Sequence, residues 1–123
     1  MTQLTFPLDF DYVHVTRYGQ QIAGGALSWR AEPSTPVSGR TLLLVDDILD
    51  EGLTLAAIRE RLLQRGADAC YTAVLADKLI GRKKPIAADF VALTVPDRFL
   101  FGYGMDVFGA WRNLPAIYAM RDD

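Results

Sequence analysis

Residues 42–55 read LLLVDDILDEGLTL, and this stretch decides the fold. The apolar run of residues 40–47 ends in acids, the pattern of a strand buried on both faces whose C-terminal end reaches a site. Gly52 then allows a tight turn. After it Leu55, Ile58 and Leu62 recur at i, i+3 and i+7, with Arg59, Glu60 and Gln64 on other faces, predicting an amphipathic helix over residues 53–65 with Gly66 as its stop.

Four carboxylates, Asp46, Asp47, Asp50 and Glu51, crowd into this turn. Two unit charges about 4 Å apart repel by roughly 1 kcal/mol in water and about 4 kcal/mol at an effective dielectric near 20, so the cluster needs partners. Sugar hydroxyls, magnesium and backbone amides can supply them. The amides opening the next helix, strengthened by its dipole, suit a phosphate, and the Thr54 hydroxyl adds a donor. One acid could instead cap the helix, but capping accounts for one carboxylate and not four.

Working outward, FDYVHV (residues 10–15) is a short β-prone run. TRYGQQIAGGALSWR (residues 16–30), rich in glycine and without period, reads as a mobile loop that returns into a strand at residues 27–30, and EPSTPVSG as a connector. Further buried strands are expected at residues 70–76 and 89–95, and a last short strand at residues 116–120. A strand, a helix and a strand in succession predict a right-handed parallel crossover and so an α/β sheet, with ligands beyond the C-terminal strand ends. The whole chain, residues 1–123, is expected to form one domain.

Half the residues are hydrophobic and 23% are charged, as in a globular protein, and no apolar run approaches the roughly 18 residues of a membrane helix. A net charge of −2 argues against nucleic acid as the main partner. The first ten residues hold no export signal, which makes the cytoplasm the expected location. The lone Cys70, within ACYTAVLA, reads as a buried small hydrophobe. His14, the sole histidine, has no nucleophile to serve, and Arg82, Lys83 and Lys84 read as surface.

LLLVDDILDEGLTL closely resembles the phosphoribosyl pyrophosphate motif of type I phosphoribosyltransferases. TRYG (residues 16–19), DKLIGRK (residues 77–83) and DFVALTVPDRFLFGYGMDVFGAWRNLPAIY (residues 89–118) extend the resemblance, in order, to the hypoxanthine-guanine branch. The resemblance implies an α/β fold with a mainly parallel, twisted sheet and flanking helices, the motif at 42–55 and a purine-binding region at 90–120. It implies transfer of the 5-phosphoribosyl group from phosphoribosyl pyrophosphate to hypoxanthine or guanine, giving IMP or GMP and pyrophosphate, with Mg²⁺ as cofactor and a homodimer or homotetramer as the assembly. Neither nucleic acid nor membrane is implied.

By the same resemblance Asp46 and Asp47 contact the ribose hydroxyls and Asp50, near purine N7, is the catalytic base. Glu51, Gly52, Leu53 and Thr54 complete the 5-phosphate loop, although relatives often carry Thr and a polar residue where Glu51 and Leu53 stand. Lys78 donates to purine O6, Phe99 stacks on the base, the Leu100 backbone meets its edge, Asp106 holds magnesium and Arg112 holds pyrophosphate. Thr16 and Tyr18 belong to a closing lid, with Gly19, Gly24 and Gly25 giving it freedom.

Family members begin with a further strand, glycine-paired loop and helix that this chain does not show, so the domain is expected to be N-terminally incomplete, with apolar sheet surface exposed, binding of phosphoribosyl pyrophosphate or nucleotide retained, and turnover weak or absent. Two other readings stand beside this one. A non-catalytic nucleotide-binding or regulatory subunit of the same fold is one. A phosphoacceptor receiver domain is the other, and it lacks the required acid, because Asp77 directly precedes Lys78 and Asp89 precedes its strand.

Overall fold

The computed structural model describes residues 1–17 and 27–122. In chain order its elements are β1 (His14–Arg17), β2 (Leu27–Ala31), β3 (Thr41–Leu49), α1 (Leu53–Gln64), β4 (Ala69–Leu79), β5 (Phe90–Pro96), β6 (Leu100–Phe101) and β7 (Tyr118–Ala119). The centre is the parallel sheet β3-β4-β5, with Leu44 opposite Thr72 and Asp77 opposite Thr94. Its strands therefore end together, at Leu49, Leu79 and Pro96. The antiparallel pairs β1-β2 and β6-β7 stand apart from it.

Helix α1 forms where its apolar spacing placed it. Leu62 packs with Val37 and Cys70, while Leu55 packs with Leu49 and Val74, and Ile58 and Leu44 close around them. Fully burying a leucine contributes about 1.5–3 kcal/mol, so these contacts hold the helix to the sheet far more firmly than its own propensity does. Gly66 ends it in the left-handed region at φ 95°, where an added Cβ would stand 2.9 Å from the Ser38 hydroxyl.

The sheet is covered on one side. Along β4 the buried residues Cys70, Thr72, Val74, Ala76 and Lys78 alternate toward α1. The expectation of strands buried on both faces is not met: Leu43, Val45, Tyr71 and Phe90 are all exposed, Val45 to 75%. An apolar run with no alternation in the sequence cannot reveal that a face is bare. Among the described residues one helix flanks the sheet, and none is long and apolar enough to cross a membrane.

The first strand also begins later than the β-prone run at residues 10–15 suggests. Asp11 accepts hydrogen bonds from the backbone N–H of Thr35 at 2.7 Å and from its neighbour Tyr12, and these hold its carboxyl at about 2, well below the usual range. This carboxylate fastens the N-terminal segment to the 34–35 loop where a strand would otherwise start. Glu32, the residue after β2, pairs with Arg61 of α1 and with Arg65 just beyond it, and the Arg61 guanidinium lies 4.6 Å from the ring centre of Trp29 in β2.

Candidate active site

Beyond the end of β3 the chain turns at Gly52, whose φ of 83° is left-handed, and enters α1 with Gly52 as its N-cap. The Gly52 carbonyl accepts the Ala56 N–H at 3.0 Å, and a Cβ here would lie 3.1 Å from Ile86 Cγ2 and 3.3 Å from Leu49 Cδ1. No side chain caps the helix and no acid sits in its first turn, so helix capping does not explain the carboxylates. They line a cleft of about 420 Å³ walled by Asp46, Asp47, Asp50, Glu51, Gly52 and Thr54, with Ile48, Leu49 and Leu55 as its apolar floor. The opening turn of the helix thus faces the same space as the acids, the arrangement that suits a phosphate bound next to a polyhydroxyl group.

The acids of the cleft perturb one another. Desolvation pushes the Asp46 carboxyl above the usual aspartate value, the charge of Asp47 adds to the rise, and the hydrogen bond from the Asp47 N–H at 2.9 Å opposes it. Asp50 is answered from the neighbouring strand: Lys78, near the end of β4 with its side chain only 10% exposed, donates to Asp50 Oδ2 at 2.8 Å. A solvated turn lysine would not be buried in this way. Glu51 pairs with Arg82 at 2.6 Å.

The structure collects six of the sequence-derived site residues around the cleft, and Lys78 reaches it through Asp50. Leu53 and Thr16 are not among the lining residues, and Tyr18 and glycines 19, 24 and 25 lie outside the described residues. The β6-β7 pair follows from the same end of β5. There Leu100 is buried, whereas Phe99 is 54% exposed and its carbonyl accepts the Met120 N–H at 2.8 Å. Asp106 and Arg112 face each other in one tight loop, paired at 3.0 Å, with Asp106 also accepting the Gly109 N–H and Arg112 donating to the Gly104 carbonyl. That loop holds Tyr103, Phe108 and Trp111 in left-handed conformations, each costing about 1–2 kcal/mol, a concentration of strain typical of functional loops.

Two features escape the sequence reading. Leu55 serves as cleft wall as well as core, which its helical spacing alone does not disclose. Lys84, read as surface, is buried to 12% side-chain exposure and donates to Asp77 Oδ1, the Lys78 carbonyl and the Leu49 carbonyl at 2.6, 2.6 and 2.9 Å. A row of basic residues gives no sign of which one folds back.

A parallel sheet whose acid-rich strand end passes through a left-handed glycine into a helix is the arrangement expected of a phosphoribosyl transferase domain, and the chain belongs to that family, whose model matches residues 2–107. Its similarities are more particular than that. It is 39% identical over 115 residues to the hypoxanthine-guanine phosphoribosyltransferase of Bacillus subtilis, covering 93% of this chain and 64% of that protein, and 39% identical over 113 residues to that of Aquifex aeolicus, covering 91% and 64%. The chain thus spans just under two thirds of the length of these curated relatives. Among solved structures it is similar to a hypoxanthine phosphoribosyltransferase from Staphylococcus aureus, with a TM-score of 0.89 at 30% identity over 98% of this chain and 66% of that one. It is similar also to a Trypanosoma cruzi hypoxanthine phosphoribosyltransferase variant in a ternary complex with substrates, with a TM-score of 0.86 at 30% identity over 95% and 63%.

Proposed function

We propose that this chain binds phosphoribosyl pyrophosphate and a 6-oxopurine and forms IMP or GMP with release of pyrophosphate. The observation that carries the proposal is the Lys78–Asp50 pair of 2.8 Å at the mouth of the acidic cleft. It places a cation and a carboxylate side by side, next to a turn suited to a sugar phosphate. The similarity to hypoxanthine-guanine phosphoribosyltransferases supports the same reading.

In this mechanism Asp46 and Asp47 accept hydrogen bonds from the ribose hydroxyls, and residues 50–54 grip the 5-phosphate through amides and the Thr54 hydroxyl. The incoming base lies against the Lys78–Asp50 pair. Lys78 Nζ donates to O6, an acceptor in hypoxanthine and guanine; adenine carries an amine there, which offers the ammonium no lone pair. Asp50 takes the N7 proton as the purine bonds to the anomeric carbon and pyrophosphate departs, and its charge stabilises the cationic character that develops on the sugar. Phe99, exposed beside the buried Leu100, supplies a face for stacking, and the Leu100 backbone meets the base edge.

Arg112 binds the pyrophosphate through its planar fork. Among the described residues there is no cluster of three or more metal-ligating side chains. Magnesium needs only one or two carboxylates when substrate phosphates complete its shell, and Asp106 fits that requirement. When bound, the ion neutralises charge on the departing pyrophosphate. A cytoplasmic setting accords with this chemistry, and a homodimer or homotetramer would cover the bare apolar face around Leu43, Val45 and Tyr71.

The test is a pyrophosphate-release assay with hypoxanthine, guanine, xanthine and adenine, run beside an IMP-binding titration. Release with the 6-oxopurines and not with adenine supports the proposal. IMP binding without any release identifies a nucleotide-binding subunit, and neither binding nor release removes the reading altogether.

A further inference from the structure

The residues joining β4 to β5 contribute a contact that the mechanism does not use. Lys84 Nζ has three donors, and the structure gives all three an oxygen: the Leu49 carbonyl at 2.9 Å, the Lys78 carbonyl at 2.6 Å and Asp77 Oδ1 at 2.6 Å. Leu49 is joined directly to Asp50, and the second carbonyl belongs to Lys78 itself. One ammonium therefore holds the backbone on both sides of the ion pair. The same segment braces the turn at two further points, since Arg82 pairs with Glu51 and Ile86 packs against Leu49 and Leu55.

We propose that Lys84 is a positioning residue that fixes the separation of Asp50 and Lys78, so that carboxylate and ammonium match the two edges of one bound base. The inference rests on the function proposed above for that pair. The parallel ladder between β3 and β4 runs out at Leu49 and Asp77, so beyond this point no backbone bond of the sheet holds the two strand ends together. Lys84 takes over where the ladder stops. Asp77 answers its charge, which makes burial of the ammonium tolerable.

The first arm of the test needs no ligand. Acetylation of individual lysines is followed by mass spectrometry in the native chain and in Lys84→Met. With the clamp released, Lys78 is expected to react about 5- to 30-fold faster, the factor that corresponds to losing one or two hydrogen bonds' worth of local stability. In the second arm, Lys84→Met lowers kcat with hypoxanthine about 10- to 100-fold while the KM for phosphoribosyl pyrophosphate changes less than about two-fold, because misplacement of a reacting group costs rate rather than sugar-phosphate binding.

Lys84→Cys, aminoethylated at the introduced thiol, restores an ammonium of nearly the same reach and is expected to recover both Lys78 protection and kcat. Unchanged Lys78 reactivity in Lys84→Met overturns the proposal. So does a loss of kcat that the aminoethylated chain fails to recover, which would make Lys84 merely structural. If Lys84→Met does not fold, Asp77→Asn, which weakens only one of the three contacts, carries the same acetylation comparison with a smaller expected increase, and no increase there overturns the proposal. If the native chain forms no nucleotide from hypoxanthine, the function reading fails while the acetylation arm still decides whether Lys84 holds Lys78.

Discussion

Replacing Lys78 by methionine removes the ammonium that faces Asp50 and keeps most of the buried stem. Lys78 is only 8% exposed, so the methylene chain sits in the core beneath the cleft and the substitution disturbs little packing. Asp50 is 51% exposed and can be rehydrated, which confines the stability cost to below about 1 kcal/mol. The functional cost is different in kind. A hydrogen bond from a charged donor contributes about 1.5–3 kcal/mol, and if it is made to O6 its loss lowers kcat/KM for hypoxanthine by about 10- to 150-fold. Adenine has no acceptor at that position and loses little, so discrimination between the two bases collapses. Initial rates with hypoxanthine and adenine, for the native chain and Lys78→Met, measure this directly, with a thermal melt as the folding control. A parallel decline with both bases, or an unchanged ratio, refutes the assignment of Lys78 to O6.

Gly52→Ala places a Cβ 3.1 Å from Ile86 Cγ2 in a left-handed turn, and chemical denaturation is expected to show a loss of about 1–2 kcal/mol, with weaker IMP binding because the phosphate turn shifts. Asp46→Asn removes a like charge beside Asp47 and is expected to stabilise the free chain by about 0.5 kcal/mol in urea melts while weakening nucleotide binding. The pH dependence has a definite sign. With its carboxyl raised above the ordinary aspartate value, Asp46 gives the fold a relative advantage at low pH that is lost as pH rises through its folded pKa. Ribose binding, which needs the ionised acceptor, follows the opposite course and fades as pH falls toward that raised value, a loss that calorimetry should find absent in Asp46→Asn. Leu62→Ala empties the best-packed site beneath α1 and is expected to cost about 2–5 kcal/mol in the same melts.

The physics of residues 42–55 explains why the heart of the molecule is legible from its sequence. A parallel strand, a glycine turn and an amphipathic helix each leave a local signature, and the helix ends at Gln64, one residue before the expected end, with Gly66 behind it. Cleft acids inherit their position from that signature. The paired strands β6 and β7 are two residues long, too short for any periodicity, so RFLFGY does not announce a strand although AIYAM encloses the observed partner. The strand β5 reads as buried and is largely exposed, because burial depends on what covers a face and not on the strand's own residues. Asp11 draws the chain from 10 to 12 out of β structure through bonds to residues 34 and 35, a long-range event invisible in FDYVHV. Lys84 differs from Lys83 only in where the loop carries it.

The central claim is that the turn between β3 and α1 holds a phosphorylated sugar. The most direct measurement is titration of IMP, and separately of inosine, into isotope-labelled chain, followed by amide shifts. The account predicts that IMP moves the amides of residues 46–55 and Lys78 together, and that inosine, lacking the phosphate, binds at least about ten-fold more weakly at the same residues. Equal affinity for the two, or shifts that leave residues 50–54 unmoved, would contradict it.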